Sequence, residues 1–354
     1  MKLFAKGQGN GIKVLLLAIG LTVGLVLLAK VQLERRYDSC IKDKERVYEL
    51  QEVFQRAGQE RQQYGATPGG IAPVLAENIP EVETATRYTG QFENEKLTLS
   101  DGNRHSFAEA AFADSCFFDI FSTEILIGDA KKILSSAGQC MISRRLSEKI
   151  GGEVVGQTFC FDSVPEKPMT IAGVFEDFSE NSHFSEFDIL MSMPSVGTYS
   201  WDGTANLIGN DRYHSYVRLR SDADLPKVRG EIKQLLKRLL PWDELKESGY
   251  EDAGCELESV AGQRMKDTTV RTTCIILTIV ALVMLFTAVM NYILVVISSL
   301  VGRARQVAVR KVYGAPRGSF YRSTLVEAAA HLIVALAFAV LLTKVSHPQE
   351  MPIK

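Results

Sequence analysis

An uncharged run of about thirty residues, 272–302, most constrains how this chain can fold. It exceeds the roughly 20 apolar residues that an α-helix needs to cross a bilayer, so its helix is expected to extend beyond the hydrocarbon. A basic segment follows directly, with six basic residues and no acidic one from Arg303 to Arg322. Short loops rich in lysine and arginine stay on the cytoplasmic side of membrane spans. The two features together predict a membrane protein and its orientation.

Two further apolar runs are candidate spans. The first, 14–33, follows Lys2, Lys6 and Lys13. It could be a signal peptide, but the apolar run is long for one and no small-x-small cleavage site follows, so an uncleaved anchor is favoured. The second, 325–343, is marginal because it contains Glu327 and His331.

The positive-inside rule assigns an orientation to every segment of the chain. The predicted segments are a cytoplasmic N-terminus (1–13), transmembrane helix 1 (14–33), an exported domain (34–271), transmembrane helix 2 (272–302), a short amphipathic cytoplasmic helix with its loop (303–322), transmembrane helix 3 (325–343) and an exported tail (344–354).

The exported domain is strongly acidic. Residues 31–272 carry 40 acidic and 28 basic side chains, a net charge of −12 that excludes a nucleic-acid-binding domain. Strand-like and helix-like runs alternate without a dinucleotide-binding glycine pattern, so the predicted fold class is α+β, with two subdomains. The stretch 34–46 is predicted to form a short stalk helix.

Five of the six cysteines fall in the exported region, where a disulfide could persist. Cys140 and Cys160 lie in candidate strands on either side of one predicted helix, so they form a possible disulfide. Small buried free thiols are an equally good interpretation.

Catalytic motifs are missing from the sequence. There is no P-loop, no HExxH, no GxSxG and no metal-ligand spacing among the cysteines and histidines. We therefore expect no enzyme and no cofactor. The polar groups 176–177 and 181–183 are interpreted as turn and capping residues. Asn291 and Glu327 are costly in hydrocarbon and are expected to face a partner helix or water.

Several blocks resemble the ABC-transporter permeases of the FtsX/MacB type, which carry a MacB-like periplasmic core domain. The run RQVAVRKVYGA at 305–315 is similar to the family signature after the second span, with Gln306 and Ala308 in place of its usual acid and glycine. FADSCFFDIFSTEILIGD at 112–129, VVGQTFCF at 154–161 and IAGVFEDFSENSHFSEFDILMS at 171–192 resemble blocks of the exported domain.

The resemblance implies a non-enzymatic permease subunit in the bacterial inner membrane, with the exported domain in the periplasm. A separate cytoplasmic ATPase would drive a periplasmic conformational change by mechanotransmission, exporting an envelope substrate, lipoprotein, peptide or drug. The residues expected to couple to the ATPase are Arg305, Val309, Arg310, Lys311, Val312, Tyr313 and Gly314. Further expected partners are a second permease copy or complementary half, a membrane fusion protein and an outer-membrane channel.

The chain resembles a Bacteroidetes-like form of the family without the usual fourth span and second half, so another polypeptide is expected to complete it unless the product is shortened. Two rival functions remain open. The exported domain could bind and activate a cell-wall enzyme, as a membrane regulator. The chain could also be a membrane-anchored ectoenzyme, which would require a pocket with clustered titratable groups.

Overall fold

The computed structural model describes residues 8–38 and 40–312 and the isolated positions 329, 333–334 and 337. The chain divides into two compact units. The sheet unit is Tyr37–Gln263, and the helical unit comprises Met1–Arg36 and Arg264–Lys354.

The strands all belong to the sheet unit. Their bounds are β1 Val47–Arg56, β2 Gln62–Tyr64, β3 Val82–Glu93, β4 Lys96–Leu99, β5 Arg104–Ser106, β6 Glu109–Ala113, β7 Ile125–Ile127, β8 Gln139–Ser143, β9 Thr158–Phe161, β10 Val164–Phe175, β11 Phe187–Ser192, β12 His214–Leu219 and β13 Tyr250–Ser259.

The α-helices include two long ones, the first and the last. Their bounds are α1 Gln8–Arg35, α2 Ile71–Asn78, α3 Phe117–Ile120, α4 Ala130–Leu134, α5 Arg144–Ile150, α6 Val196–Tyr199, α7 Leu225–Leu239, α8 Trp242–Glu247, α9 Gln263–Lys266 and α10 Thr268–Val312.

One continuous mixed sheet runs through the sheet unit, in the order β13-β1-β12-β3-β6-β11-β8-β10-β9-β4-β5, with β2 on β1 and β7 on β10. The pairs β6–β11 and β8–β10 are parallel, and the other pairs are antiparallel. The predicted α+β class is consistent with this sheet and its helices. The sheet is continuous because β3, β6 and β11 hydrogen-bond in succession and join its two ends, and the predicted division into two subdomains stays a prediction.

Three apolar clusters cover the faces of this sheet. An aromatic cluster centres on Phe117, Phe121 and Phe184, all fully buried. A second cluster surrounds Phe112 and Phe161. A third, the α7 cluster, packs α2, α7 and α8 on β1 and β13. Each cluster removes enough apolar side chain from water to hold its part of the sheet together.

Local sequence explains the helix that leaves β8. The side-chain oxygen of Ser143 accepts a hydrogen bond from the Leu146 N–H at 3.1 Å and so caps α5. The Asp177 carboxylate also accepts from the Arg145 N–H, at 3.0 Å. The interpretation of Asp177 as a capping residue agrees with this geometry.

The predicted stalk helix over 34–46 is wrong. Helix α1 ends at Arg35, and Ile41 then forms an antiparallel bridge with Phe121. Ile41 is only 4% exposed, within the aromatic cluster. Burying Ile41 in that cluster outweighs the weak local helical pattern, because most helical stability comes from packing rather than propensity.

The predicted disulfide is also wrong. Cys140 and Cys160 are free thiols on β8 and β9, and β10 lies between these two strands. Two strand spacings amount to about 10 Å, whereas bridged cysteines have Cα atoms about 4.4–6.8 Å apart. Burial raises the pKa of Cys140 far above its ordinary value, which keeps that thiol protonated.

Within the described part of the helical unit, two helices are long and apolar enough to cross a membrane. The candidate spans are Leu17–Arg35 in α1 and Thr268–Leu294 in α10. The third predicted span, 325–343, lies outside the described residues apart from isolated positions.

The structure has no helix break at 302/303, where the sequence predicts that a separate cytoplasmic helix begins. Helix α10 continues without interruption to Val312, 18 residues beyond Leu294. The prediction of a separate short helix beginning at 303 is therefore wrong for residues 303–312. No proline or paired glycine stands between 295 and 312 to end the helix, and the rest of 303–322 lies outside the described residues.

Candidate functional site

The first candidate site is the basic end of α10. Arg305, Val309, Arg310, Lys311 and Val312 all belong to this helix. Positions 305, 309 and 312 are separated by four and three residues, a spacing that places them along one side of a helix. Tyr313 and Gly314, the other two predicted coupling residues, lie outside the described residues.

Helices α1 and α10 approach closely along a small-residue contact. A Cβ atom added to Gly20 would lie 2.3 Å from the Cβ of Ala288, and one added to Gly24 would lie 2.6 Å from the Leu285 side chain. Leu17 and Leu21 are buried in one apolar cluster with Ala288. Small residues allow helix backbones to pack tightly where the surroundings are apolar.

Many apolar side chains of α10 are exposed in the part of the helix whose side chains the structure describes. Phe286 is 67% exposed, and the neighbouring aliphatic side chains are also exposed. These side chains are Ile275, Ile276, Ile279, Leu282, Val283, Val289, Ile293, Leu294 and Ile297. A continuous uncharged surface of this kind is suited to hydrocarbon or to another membrane helix.

Of the two predicted intramembrane polar residues, the structure describes one. Asn291 lies on α10 and is exposed, so the described part of α1 does not cover it. Glu327 lies outside the described residues.

The polar residues 181–183 form a turn that fixes the start of the sheet unit. One oxygen of Asp38 accepts hydrogen bonds from the His183 N–H at 3.0 Å, the His183 Nδ1 at 2.8 Å and the Ser182 hydroxyl at 3.2 Å. Burial raises the pKa of Asp38, but the bonds and charge of His183 outweigh burial and hold the pKa below its usual value. The sequence interpretation as turn residues agrees with this geometry.

A second buried acid fixes the end of the sheet unit. Glu49, 6% exposed on β1, accepts hydrogen bonds from the Gln263 side chain at 2.7 Å and the Tyr216 hydroxyl at 3.2 Å. Burial raises its pKa, but hydrogen bonds from His214, Gln263 and Gln51 lower it below the ordinary value. Gln263 is the last residue of the sheet unit.

Sequence reasoning missed both of these anchoring acids. For Glu49 the available signal was an acid inside a β-branched and aromatic run, where a buried carboxylate requires several donors. For Asp38 the neighbouring residues do not indicate its hydrogen bonds, because its partners are 144 and 145 residues away. Among the described residues, no group of three metal-ligating side chains is present.

Comparisons with known proteins identify the architecture. The MacB-like periplasmic core domain family matches residues 11–235. A domain of a proposed permease from Porphyromonas gingivalis is similar in structure, with a TM-score of 0.55 and 29% identity. The alignment with it covers 62% of this chain and 91% of that domain.

The periplasmic region of MacB from Actinobacillus actinomycetemcomitans also aligns, with a TM-score of 0.41 and 15% identity. That alignment covers 65% of this chain and 96% of the MacB region. In the comparison with curated proteins, none matches the chain.

With the family match over residues 11–235, the mixed sheet and the two candidate membrane helices fit a membrane protein with a periplasmic core domain. The chain belongs to the MacB-like periplasmic core domain family, as an FtsX/MacB-type permease.

Proposed function

We propose that this chain is the membrane subunit of a mechanotransmission ABC transporter, which moves an envelope substrate, lipoprotein, peptide or drug by changing the shape of its periplasmic domain. The observation that carries the proposal is helix α10. Its 45 residues run without a break from Thr268, next to the end of the sheet unit in sequence, to the basic segment at Val312.

The length of α10 supports this role. At 1.5 Å per residue its 45 residues extend about 68 Å, while the hydrocarbon of a bilayer is about 30 Å thick. The 18 residues after Leu294 add about 27 Å of helix beyond the apolar window. A continuous helix of that length can carry a displacement from one side of a membrane to the other.

The anchoring of the chain at both ends of the sheet unit also supports it. Asp38 is fixed by the 182–183 turn, close in sequence to α1, and Gln263 is fixed by Glu49, close in sequence to α10. A force applied to the chain before Asp38 or after Gln263 would therefore act on residues that are hydrogen-bonded to partly or fully buried groups of the sheet unit. Such anchors are what a force-transmitting connection requires.

The orientation belongs to the proposal. Residues 1–13 and 303–322 would be cytoplasmic, and 34–271 and 344–354 periplasmic, with spans at 14–33, 272–302 and 325–343 in the bacterial inner membrane. A separate ATPase would bind the basic end of α10 as a helix in a groove. Arg305, Arg310 and Lys311 would supply charged contacts, and Val309, Val312 and Tyr313 apolar ones.

A second permease copy, or a complementary half, would pair with the exposed apolar surface of α10. A membrane fusion protein and an outer-membrane channel are the further partners that export across two membranes would require. The chain itself would have no catalytic role.

The proposal is tested by the double substitution Arg310→Glu with Val312→Asp. Affinity purification from native membranes, with partners identified by mass spectrometry, should recover an ABC ATPase with the wild-type chain and lose it with the variant. Arg310→Glu reverses a charge at the contact, and Val312→Asp places a carboxylate in the groove. Together the two changes should weaken the free energy of ATPase binding by about 2–5 kcal/mol.

Arg271→Glu is the matched control, because it reverses an exposed charge near the other end of the same helix. It should leave the recovery of the ATPase unchanged. Equal recovery with the double variant and the wild type, or no ATPase with the wild type, would refute the proposed coupling.

A further inference from the structure

A cavity of about 280 Å³ lies in the sheet unit, between the β1–β13 pair, the last turns of α7, helix α8 and the loop 203–211. It is slightly below the roughly 300–1,000 Å³ that small-molecule sites occupy. Leu236, Leu240 and Leu245 form its apolar wall.

The strand register explains why the cavity contains an acid. Leu50 pairs with Leu257, and both are buried in the α7 cluster. Two residues further along each strand, the same face carries Glu52 opposite Cys255. Glu52 therefore lies on the apolar face of β1, at a position where the alternation of side chains predicts an apolar residue. A carboxyl group there is costly unless something compensates it.

The charged group that acts on Glu52 is a second acid, Asp211. Asp211, on the exposed loop at the cavity mouth, lies within hydrogen-bonding reach of Glu52. Burial, then the negative charge of Asp211, raises the pKa of Glu52 to about 7. Two adjacent carboxyl groups cannot both ionise at low cost, so the pair shares a proton near neutral pH. Among the described residues, no cationic side chain compensates the charge of either acid.

The loop that brings Asp211 to this place is held rigidly. The buried Arg87 donates hydrogen bonds to the carbonyl oxygens of Gly69 and Thr204. The Gly70 N–H donates to the Asn206 carbonyl at 2.7 Å. A Cβ atom on Gly69 would lie 2.5 Å from the Gly203 carbonyl oxygen, so the close approach requires glycine. The cavity wall is thus formed before any ligand arrives.

We propose that this cavity binds a small organic cation, whose ammonium group lies between the carboxylates of Glu52 and Asp211 and whose short apolar body packs against the leucine wall. Charge complementarity selects the cation, and the apolar lining selects its body. The site is separate from the basic end of α10, and the proposal does not depend on ATPase binding.

The charged and titratable groups that line the cavity are Glu52, Arg56, Asp211, Tyr250 and Cys255. The Arg56 guanidinium lies 4.7 Å from the centre of the Tyr250 ring and donates to its hydroxyl at 2.7 Å. That contact holds Arg56 at the tyrosine. An incoming ammonium would displace the proton that the two acids share, so its affinity should rise from pH 5.5 to pH 8.

The test compares two probes of the same shape, 2-phenylethylammonium and the uncharged 2-phenylethanol. Binding to the full chain in a non-ionic detergent is measured by calorimetry at pH 8, with detergent alone as the blank. The ammonium probe should bind saturably and at least about tenfold more tightly than the alcohol, the ratio expected when a hydrogen bond to a charged group is gained.

Three substitutions separate charge from space. Glu52→Gln and the exposed Asp211→Asn should each reduce the preference for the ammonium probe, and Glu52→Gln should also abolish its pH dependence. Ala253→Leu, on the cavity face opposite Phe54, keeps both acids and should weaken both probes by filling the space. Glu251→Gln, an exposed acid of the same strand, is the control and should change nothing.

Tryptophan fluorescence during thermal unfolding checks that each variant is folded, since Trp201 and Trp242 both lie in the sheet unit. The absence of saturable binding by the ammonium probe, or equal affinity for the two probes, overturns the proposal. Wild-type affinity of the ammonium probe for both folded variants Glu52→Gln and Asp211→Asn also overturns it.

Discussion

The sheet unit should depend strongly on Asp188, a β11 residue that is only 1% exposed. One carboxylate oxygen accepts from the Ser143 hydroxyl at 2.7 Å and the Arg145 Nε–H at 2.8 Å. The other accepts from the Ala108 N–H at 2.8 Å. A single side chain thus joins β11 to the cap of α5 and to the residue before β6.

Asp188→Asn keeps the shape and removes the charge. Its amide nitrogen must face either the Ala108 N–H or the Ser143 and Arg145 donors, so at least one donor loses its acceptor. The lost hydrogen bond to a charged group costs about 1.5–3 kcal/mol, and a buried unsatisfied donor about 1–3 kcal/mol. The Arg145 side chain is 34% exposed, so water offsets part of the loss. We expect a decrease of about 3 kcal/mol in the free energy of unfolding.

For the 227 residues of Tyr37–Gln263, 3 kcal/mol corresponds to a decrease of about 6–12 °C in Tm. Thermal unfolding of the full chain in detergent, followed by tryptophan fluorescence, measures it. Asp222→Asn makes the same chemical change at an exposed position, and it should alter the free energy of unfolding by no more than about 0.5 kcal/mol. A decrease for Asp188→Asn that is no larger than the control would refute this reasoning.

Three further predictions concern other parts of the chain. Between pH 4.5 and 7 the unfolded chain releases the Glu52 proton that the folded chain keeps, so this group lowers stability as pH rises. Glu52→Gln should therefore raise Tm at pH 8 and leave it unchanged at pH 4, and a lower Tm at pH 8 would contradict this. Gly20→Ala should weaken the packing of α1 on α10 by about 1–3 kcal/mol. Circular dichroism melts in detergent should show the loss and its rescue by Ala288→Gly, whereas equal melts would contradict the close contact. In a cysteine-free background, His105→Cys should react with an impermeant maleimide from the periplasm and Arg305→Cys only from the cytoplasm. The reverse pattern would refute the proposed orientation.

Local sequence was sufficient wherever a few neighbouring residues decide the structure. Ser143 predicts the start of α5, and its side chain caps that helix. The apolar spacing of Val228, Ile232, Leu235 and Leu236 predicts the amphipathic helix α7, which buries these four residues. The polar and glycine residues of 100–103 favour a turn, and a turn there separates β4 from β5. These features depend on contacts within one turn or one helix.

Longer-range contacts decided the features that sequence reasoning got wrong. Residues 34–46 have helical spacing, but the bridge from Ile41 to Phe121 overrides it. Cys140 and Cys160 flank one helix in sequence, but β10 enters the sheet between them. One sheet extends through the whole sheet unit because β6 pairs with β3 on one side and with β11 on the other. Strand order is a choice between distant partners, and no local pattern records it.

By itself the sequence determined which parts of this protein suit a membrane, because a run of 31 uncharged residues beside six basic ones leaves few alternatives. Its motifs also determined the family. Only the tertiary structure decided that Glu52 meets Asp211 in a cavity and that Asp188 collects three donors. The physical reason is distance along the chain. Hydrophobicity and charge can be assigned to each residue from the sequence, whereas a site exists only after folding brings side chains together that are far apart in the sequence.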